Sequence, residues 1–216
     1  MFFLEKFNIK IRNKELLKTA LTHSSFTNEH KDAHNYERLE FLGDAVLEVV
    51  ISEYFYLNTT FKEGQMTKLR SNYVCEKALA TYSKEIGIDE YIRLGHGQIH
   101  NLNDTIIADV FEAVVGAIYL DQGFDVVKKY IETIIVPYIE REIDFNADYK
   151  TKLQEFVQTD KKSLEYEIVS ESGKAHEKVF EVVVKIDNII YGRGKGSSKK
   201  EAEQMAALDA YNKSAR

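Results

Sequence analysis

The chain has little of several residues that mark particular classes of protein. Its 216 residues include no tryptophan, one proline and one cysteine. Cys75 cannot form an internal disulfide, and its neighbours supply no second cysteine or histidine for a metal site or a nucleophilic pair. No apolar run approaches the roughly 18 residues that cross a bilayer, and charges interrupt the apolar residues at the start. These absences predict a soluble, cytoplasmic protein without a membrane span or a signal peptide.

Charge is unevenly distributed along the chain. The net charge of −6 argues against a protein that coats nucleic acid indiscriminately. Residues 1–146 carry a net charge of −7, whereas residues 147–216 carry +1. This asymmetry, together with a change in hydrophobic pattern at the same place, predicts two domains, 1–145 and 146–216, with different tasks.

The first of these domains shows helical periodicity almost throughout. Apolar residues recur at a spacing of three and four around Leu16 to Leu21 and in the segments 39–56, 66–85, 104–120 and 126–142. The pattern predicts an all-α domain, in which the single proline, Pro137, kinks or ends the last helix.

The second domain has a mixed pattern. Residues 149–158 have helical spacing, 164–170 alternate, and 178–186 place apolar residues on one face at every second position. Asp187-Asn188 predicts a hairpin turn into a third strand, and a final helix follows. The sequence therefore predicts a small α+β domain of order α-β-β-β-α, with helices covering one face of the sheet.

Acidic residues form a stripe on one otherwise apolar helix. At 100° per residue they fall within a sector about 80° wide, and apolar residues occupy the other sides. The four acids are Glu37, Glu40, Asp44 and Glu48.

The segment 104–120 repeats this arrangement with Asp109 and Glu112, and the small residues Ala113 and Gly116 on the same line would let two helices pack closely. Carboxylates clustered in an apolar setting repel one another, and no Lys or Arg lies on the second helix. Divalent cations that prefer oxygen ligands, such as Mg²⁺, Mn²⁺ or Ca²⁺, would neutralise them. The spacing alone fits a solvated acidic face equally well.

These segments resemble a known family. ERLEFLGDAVL at 37–47 resembles the signature of ribonuclease III, an endonuclease of double-stranded RNA, and the similarity extends through LTHSSF at 21–26, EGQMTKLRSNYV at 63–74 and ADVFEAVVGAIYLDQGF at 108–124. The later segments DYKTKLQEFVQ, YEIVSESGKAHEKVFEV and GRGKGSSKKEAEQMAA resemble a double-stranded-RNA-binding domain. The resemblance covers nearly the whole chain and implies a ribonuclease III fold followed by an RNA-binding fold.

The resemblance implies roles for the matching positions. Four carboxylates match the family's metal-binding residues: Glu40, Asp44, Asp109 and Glu112. Asp44 and Glu112 would be catalytic, Mg²⁺ would be the metal, and Mn²⁺ would substitute for it. Glu37 and Glu63 match supporting acidic residues at the cleavage site or subunit junction, and Phe41 matches a position that inserts into the partner subunit of a homodimer.

In that dimer each active centre would cut one strand, with water as the nucleophile. The implied products have short 3′ overhangs, 5′-phosphates and 3′-hydroxyls, and the implied substrates are ribosomal RNA precursors, structured messenger RNAs and transfer RNA transcripts. The chain departs from the family in the loop at 94–104, which is shorter than usual and lacks arginine. A loop that usually reads Gly-Pro-Ala-His has Lys174 in place of proline.

The final helix has its own signal for phosphate binding. Ser198 and Glu201 form a capping box, which places Lys199 and Lys200 in the first turn, where amides, helix dipole and lysines all attract a phosphate. The glycine spacing before it does not fit a P-loop, so no nucleotide cofactor is expected. The resemblance adds minor-groove contacts from three further residues: Gln154, Glu155 and His176.

The sequence therefore predicts a homodimeric, Mg²⁺-dependent endoribonuclease specific for double-stranded RNA. The main alternative is a protein that keeps the fold and binds double-stranded RNA without cutting it. A helical phosphohydrolase for a small molecule is a third hypothesis, which the RNA-binding half disfavours. His30 and His34, four residues apart in a polar loop, fit either a metal site or a solvated loop.

Overall fold

The computed structural model describes residues 2–159, 162–173 and 178–214, and the chain divides into two units, Met1–Phe145 and Asn146–Arg216. Lys174 and His176, named above, lie outside the described residues. No helix in the described ranges is long and apolar enough to cross a membrane.

Helices and loops make up the first unit, as the periodicity predicted. Its elements are α1 Phe2–Glu5, α2 Lys14–Ala20, α3 Ser24–Glu29, α4 Glu37–Asn58, α5 Glu63–Tyr73, α6 Glu76–Ile86, a 3₁₀ turn Asp89–Tyr91, α7 Asp104–Gln122 and α8 Phe124–Glu140. A continuous core of Leu, Ile, Val, Phe and Tyr side chains joins these helices except α3, which has no buried residue.

One detail of the helical prediction was wrong. The segment 66–85 forms two helices, because the backbone adopts an extended conformation at Cys75, with φ −74° and ψ 157°. The apolar spacing stays in phase across this break, so periodicity alone does not reveal it. Pro137 does not end α8, which continues to Glu140.

The core of the first unit is organised by the crossing of α4 and α7. A Cβ atom added to Gly43 would lie 1.8 Å from the Glu112 carbonyl oxygen, and one added to Gly116 would lie 2.3 Å from the Leu39 carbonyl oxygen. No side chain fits between the two backbones at these points. Small residues therefore set the separation of the helices, and α7 is buried along most of its length.

The second unit is a three-stranded antiparallel sheet with two helices. Its elements are α9 Tyr149–Thr159, β1 Leu164–Ser172, β2 Val179–Ile186, β3 Ile189–Gly196 and α10 Lys199–Ser214. The strands pair in the order β1-β2-β3. The order α-β-β-β-α is therefore confirmed.

Alternation in β2 correctly predicted the buried face of this sheet. Phe180, Val182, Val184 and Ile186 are buried against Leu153 of α9 and the alanines of α10. The turn between β2 and β3 is also as predicted: Asp187 and Asn188 have φ values of 48° and 66°, which a two-residue type I′ hairpin requires at both positions.

We expect Gly43→Ala to destabilise the first unit by about 2 kcal/mol or more, since the added methyl group must push α4 and α7 apart. Gly64→Ala is the matched control, because Gly64 is also helical but has no atom within 4 Å of its added Cβ. That control should leave stability unchanged or raise it by up to about 1 kcal/mol. Urea unfolding measures both, and equal stabilities would contradict the role given to the crossing.

Candidate active site

Four of the predicted site residues lie on the two helices that cross at Gly43 and Gly116. Glu40 and Asp44 flank Gly43 on α4, and Asp109 and Glu112 precede Gly116 on α7. Since the backbones touch at the glycines, side chains on the adjoining turns are held near one another. Glu112 supplies the carbonyl oxygen that Gly43 approaches, so its side chain begins at the crossing itself.

The environment of Glu112 is the most unusual in this cluster. Burial first, and then the negative charges of Asp44 and Glu40, raise the pKa of Glu112 to about 8. Asp109 and Glu48 add to this effect. A cation placed among the acids would stabilise the charged form of this carboxyl group.

Glu40 and Asp109 show the same effect to a smaller extent. Burial, Asp109, Glu37 and Asp44 raise the pKa of Glu40. Burial also raises the pKa of Asp109, while a hydrogen bond donated by the Tyr36 hydroxyl to Asp109 Oδ2, 2.9 Å long, acts in the opposite direction. These mutual effects show that the acids of the two helices form one electrostatic cluster.

The other acidic candidates are placed differently. Glu37 is exposed at the start of α4, and its negative charge helps to raise the pKa of Glu40. Glu48 is half exposed, and its Oε1 lies 3.9 Å from Nη2 of Arg70 on α5. Glu63 begins α5, where its Oε1 accepts a hydrogen bond from the Thr67 hydroxyl. Glu63 is not among the groups that raise the pKa of Glu112.

The cluster fits a hard divalent cation by its donor chemistry. It offers carboxylate oxygens from facing helices, a set that favours Mg²⁺ or Mn²⁺ over zinc. The charge repulsion around Glu112 is what a cation would relieve. In the described ranges, no three carboxylate, imidazole or thiol groups already converge as a ligand set.

Both units match family models. Residues 13–139 match the model described as Ribonuclease-III-like, and residues 149–214 match the double-stranded RNA binding motif. The chain is 45% identical to Ribonuclease 3 of Streptococcus gordonii, over 97% of this chain and 94% of that protein. It is 43% identical to Ribonuclease 3 of Listeria monocytogenes, over 97% and 95% respectively. The chain belongs to the ribonuclease III family.

A solved structure supports the same assignment. The nuclease domain of ribonuclease III from Campylobacter jejuni is 35% identical, covers 62% of this chain with 96% of its own length, and superposes with a TM-score of 0.56. This ribonuclease III chain is accordingly an endoribonuclease with a double-stranded-RNA-binding domain.

Four of the predicted RNA contacts lie on two helices of the second unit. Gln154 and Glu155 are on α9, where Gln154 is half-buried and Glu155 is exposed. Lys199 and Lys200 are exposed in the first turn of α10. The Lys199 ammonium group lies 5.9 Å from the centroid of the Phe180 ring. The Ser198 hydroxyl accepts a hydrogen bond from the Glu201 amide at 3.2 Å, as the capping box predicts.

The second hydrogen bond of a capping box, from the Ser198 amide to the Glu201 side chain, differs from the prediction. The Glu201 carboxylate accepts from the amide and hydroxyl of Ser197, at 2.7 and 2.6 Å. Both serines therefore fix the start of α10.

An exposed apolar stripe runs along α4. Phe41 is 81% exposed, Val49 56% and Tyr56 73%, and with Ala45 and Ser52 they lie within a sector about 80° wide. Phe41, Val49 and Tyr56 belong to the apolar sides of the helix in the sequence pattern, yet within one chain they are exposed. Exposed apolar residues in a continuous stripe are typical of surfaces that contact another molecule.

The short loop at 94–104 is anchored to α3. Gly95 donates its amide to the Ser25 hydroxyl at 2.9 Å, and the Nδ1 atom of His96 lies 2.6 Å from Oε2 of Glu29. His30 stacks on Phe26 with ring centroids 4.1 Å apart. Neither His30 nor His34 belongs to a group of metal ligands in the part of the chain that the structure describes.

Two residues of the site were missed by the sequence reasoning. Tyr36 stands immediately before the acidic helix, and its position there was the available signal. Gly43 lies on the apolar side of the helical wheel, and no pattern on α4 alone shows that α7 crosses at that point.

We expect Glu112→Gln to remove a pH dependence of stability. Glu112 has a pKa of about 8 in the fold and about 4.5 when unfolded, so the native state holds a proton that the unfolded state has lost between these values. Its contribution to the free energy of unfolding falls as pH rises through this window, by at most about 1.4 kcal/mol per pH unit. Urea unfolding at pH 5 and pH 8 without divalent cations measures the difference.

Glu15→Gln is the control for this measurement, because the Glu15 side chain is 81% exposed. The wild type and Glu15→Gln should lose stability in parallel toward pH 8, while Glu112→Gln loses less. Identical pH profiles for all three proteins would contradict the buried, repelled state of Glu112.

Proposed function

We propose that this chain hydrolyses phosphodiester bonds in double-stranded RNA as an Mg²⁺-dependent homodimer. The products would be 5′-phosphate and 3′-hydroxyl ends with short 3′ overhangs. The observation that carries the proposal is the carboxylate cluster at the crossing of α4 and α7, in which Glu112 is buried among three other acids. Membership of the ribonuclease III family supports the reaction class.

In this proposal four residues hold the metal: Glu40, Asp44, Asp109 and Glu112. When bound, Mg²⁺ activates water as the nucleophile and stabilises the leaving 3′ oxygen, and Mn²⁺ would substitute for it. Water attacks phosphorus, the bond from phosphorus to the 3′ oxygen breaks, and that oxygen takes a proton. Asp44 and Glu112 would be the catalytic pair, because they lie on facing helices and, after burial, the charge of Asp44 raises the pKa of Glu112.

The acids on the two helices differ in how deeply they are buried. Glu112 and Asp109 are half-buried on α7, a helix packed on nearly all sides, and this packing limits how far their carboxylates can move. Asp44 is exposed on α4 and would be accessible to a large substrate. The cluster would therefore combine fixed ligands with an open position, as a catalytic metal site requires.

Double-stranded RNA would bind the second unit through its shape. Lys199 and Lys200 would contact phosphates at the start of α10, and Gln154 and Glu155 would meet 2′-hydroxyl groups in a minor groove. His176 would contact a second minor groove. Ribosomal RNA precursors, structured messenger RNAs and transfer RNA transcripts are the proposed substrates, and the cytoplasm is the proposed location.

The exposed apolar stripe on α4 would be the dimer contact, with Phe41 at its N-terminal end. The Campylobacter jejuni domain is described as having a region involved in dimer formation. Glu37 and Glu63 would act as supporting acids, and Glu63 lies on α5 beside the far end of the stripe, lining a cavity with Tyr56. A dimer would bring two carboxylate clusters to one RNA duplex, one for each strand.

We expect Asp44→Asn and Glu112→Gln each to cut a long RNA duplex at least about 100-fold more slowly than wild type in Mg²⁺, because each removes a charged metal ligand. Both should still bind the duplex in a gel-shift assay, since the second unit is unchanged. Glu48→Gln is the control, because Glu48 lies on the same acidic stripe of α4, and this variant should keep its activity.

Two results would contradict the proposal. Cutting by Glu112→Gln at the wild-type rate would remove Glu112 from the metal site. Binding of the duplex by the wild type without any cutting would favour the alternative of a non-cleaving RNA-binding protein.

We expect Phe41→Ala to raise the dimer dissociation constant by about 100-fold or more, because two phenyl groups each contribute roughly 1.5 kcal/mol or more when buried. Sedimentation equilibrium over a range of concentrations measures this constant. Ile189→Ala is the matched control, since Ile189 is 63% exposed but lies in the second unit. If the wild type is a monomer at micromolar concentration, or if both variants have equal dimer dissociation constants, the apolar stripe on α4 is not the dimer contact.

A further inference from the structure

Tyr36 connects the two helices that carry the acidic cluster. Its side chain is only 4% exposed, and its hydroxyl donates a hydrogen bond to Asp109 Oδ2 at 2.9 Å. Tyr36 belongs to the start of α4, whereas Asp109 belongs to α7. This bond therefore crosses from one side of the cluster to the other.

The backbone of Tyr36 is held as firmly as its side chain. Its carbonyl oxygen accepts from the Glu40 amide at 2.9 Å, and its own amide donates to the Thr22 carbonyl oxygen at 2.9 Å. One residue thus holds the backbone of Glu40 and the carboxylate of Asp109. Both of these acids are in the proposed ligand set.

The segment that binds the Tyr36 amide is itself held by backbone hydrogen bonds to a second segment. Thr22 is fully buried and pairs with Arg93 in a short parallel bridge, and the His23 amide donates to the Arg93 carbonyl oxygen at 3.0 Å. The ring of His23 lies 5.7 Å from the ring of Tyr36. His23 Nδ1 accepts from the Ser25 amide at 3.1 Å, which fixes the orientation of the imidazole.

A carboxylate with one oxygen held has few orientations left. The hydrogen bond from Tyr36 occupies Oδ2 and leaves Oδ1 of Asp109 available to a cation. Hydrogen-bond partners behind a ligating carboxylate commonly change metal affinity by 10–100-fold when they are removed.

We propose that Tyr36 is a positioning residue that orients the Asp109 carboxylate for metal binding. It acts through Asp109 and through the first turn of α4, and it does not touch the substrate. This inference rests on the proposed function, in which Asp109 is a metal ligand. It assigns a role to a residue outside the acidic motif.

Tyr36→Phe tests the role, because phenylalanine fills the same space and removes only the hydroxyl group. Tyr82→Phe is the matched control: Tyr82 is fully buried, and its hydroxyl donates to the Tyr73 carbonyl oxygen at 3.2 Å. Each variant loses one interior hydrogen bond, so their unfolding midpoints should be similar. Circular dichroism establishes that both full-length chains are folded before any binding is measured.

Calorimetric titration with Ca²⁺ or Mn²⁺, in the absence of RNA, provides a readout that does not depend on catalysis. We expect the cation dissociation constant of Tyr36→Phe to rise about tenfold and that of Tyr82→Phe to stay at the wild-type value. In cleavage assays the Mg²⁺ concentration for half-maximal rate should rise by a similar factor. Saturating Mg²⁺ should restore most of the rate to Tyr36→Phe.

The outcomes separate this inference from the proposed function. A wild type that binds cations and cuts RNA, with Tyr36→Phe matching Tyr82→Phe in both assays, would overturn the role of Tyr36 alone. A wild type that neither binds a divalent cation nor cuts RNA would overturn both proposals. If Tyr36→Phe is less stable than Tyr82→Phe but has unchanged cation affinity, its hydroxyl is structural and the inference is again overturned.

Discussion

The direct contact of two helix backbones at Gly43 and Gly116 is the constraint on which the first unit depends. A Cβ atom on Gly43 would lie only 1.8 Å from a carbonyl oxygen of the facing helix. Because the helices meet without side chains between them, the acids on the adjoining turns share one small region. Glu112 lies at this crossing, where burial and then the neighbouring acids raise its pKa.

This arrangement is unfavourable for the isolated fold and useful for a metal site. Burying Glu112 among like charges costs free energy, which the surrounding core of α7 must offset. The fixed positions of the acids mean that a cation would meet ligands whose repulsion it relieves. Tyr36 adds a restraint of a different kind, since its hydrogen bond to Asp109 Oδ2 favours the charged carboxylate. The catalytic proposal and the packing of the core are therefore two aspects of one feature.

The second unit is built by simpler rules, and the sequence predicted it more fully. Alternation identified the buried face of β2 because a strand exposes its two faces in turn. Asp187 and Asn188 adopt the left-handed conformation that a two-residue hairpin needs. The first unit was less accessible, since a helical pattern gives the buried side of each helix but not which helix covers it. The extended turn at Cys75 and the short helix α3 have no signal in that pattern.

The sequence by itself determined the two domains' element types, the stripe holding Glu40 and Asp44, and the family resemblance. These depend on local spacing and on motifs, which are read along the chain. Only the tertiary structure decided that Gly43 meets the Glu112 backbone, that the Tyr36 hydroxyl reaches Asp109, and that α4 leaves an apolar stripe uncovered. Each of these depends on segments far apart in sequence, and no local pattern records the distance between them.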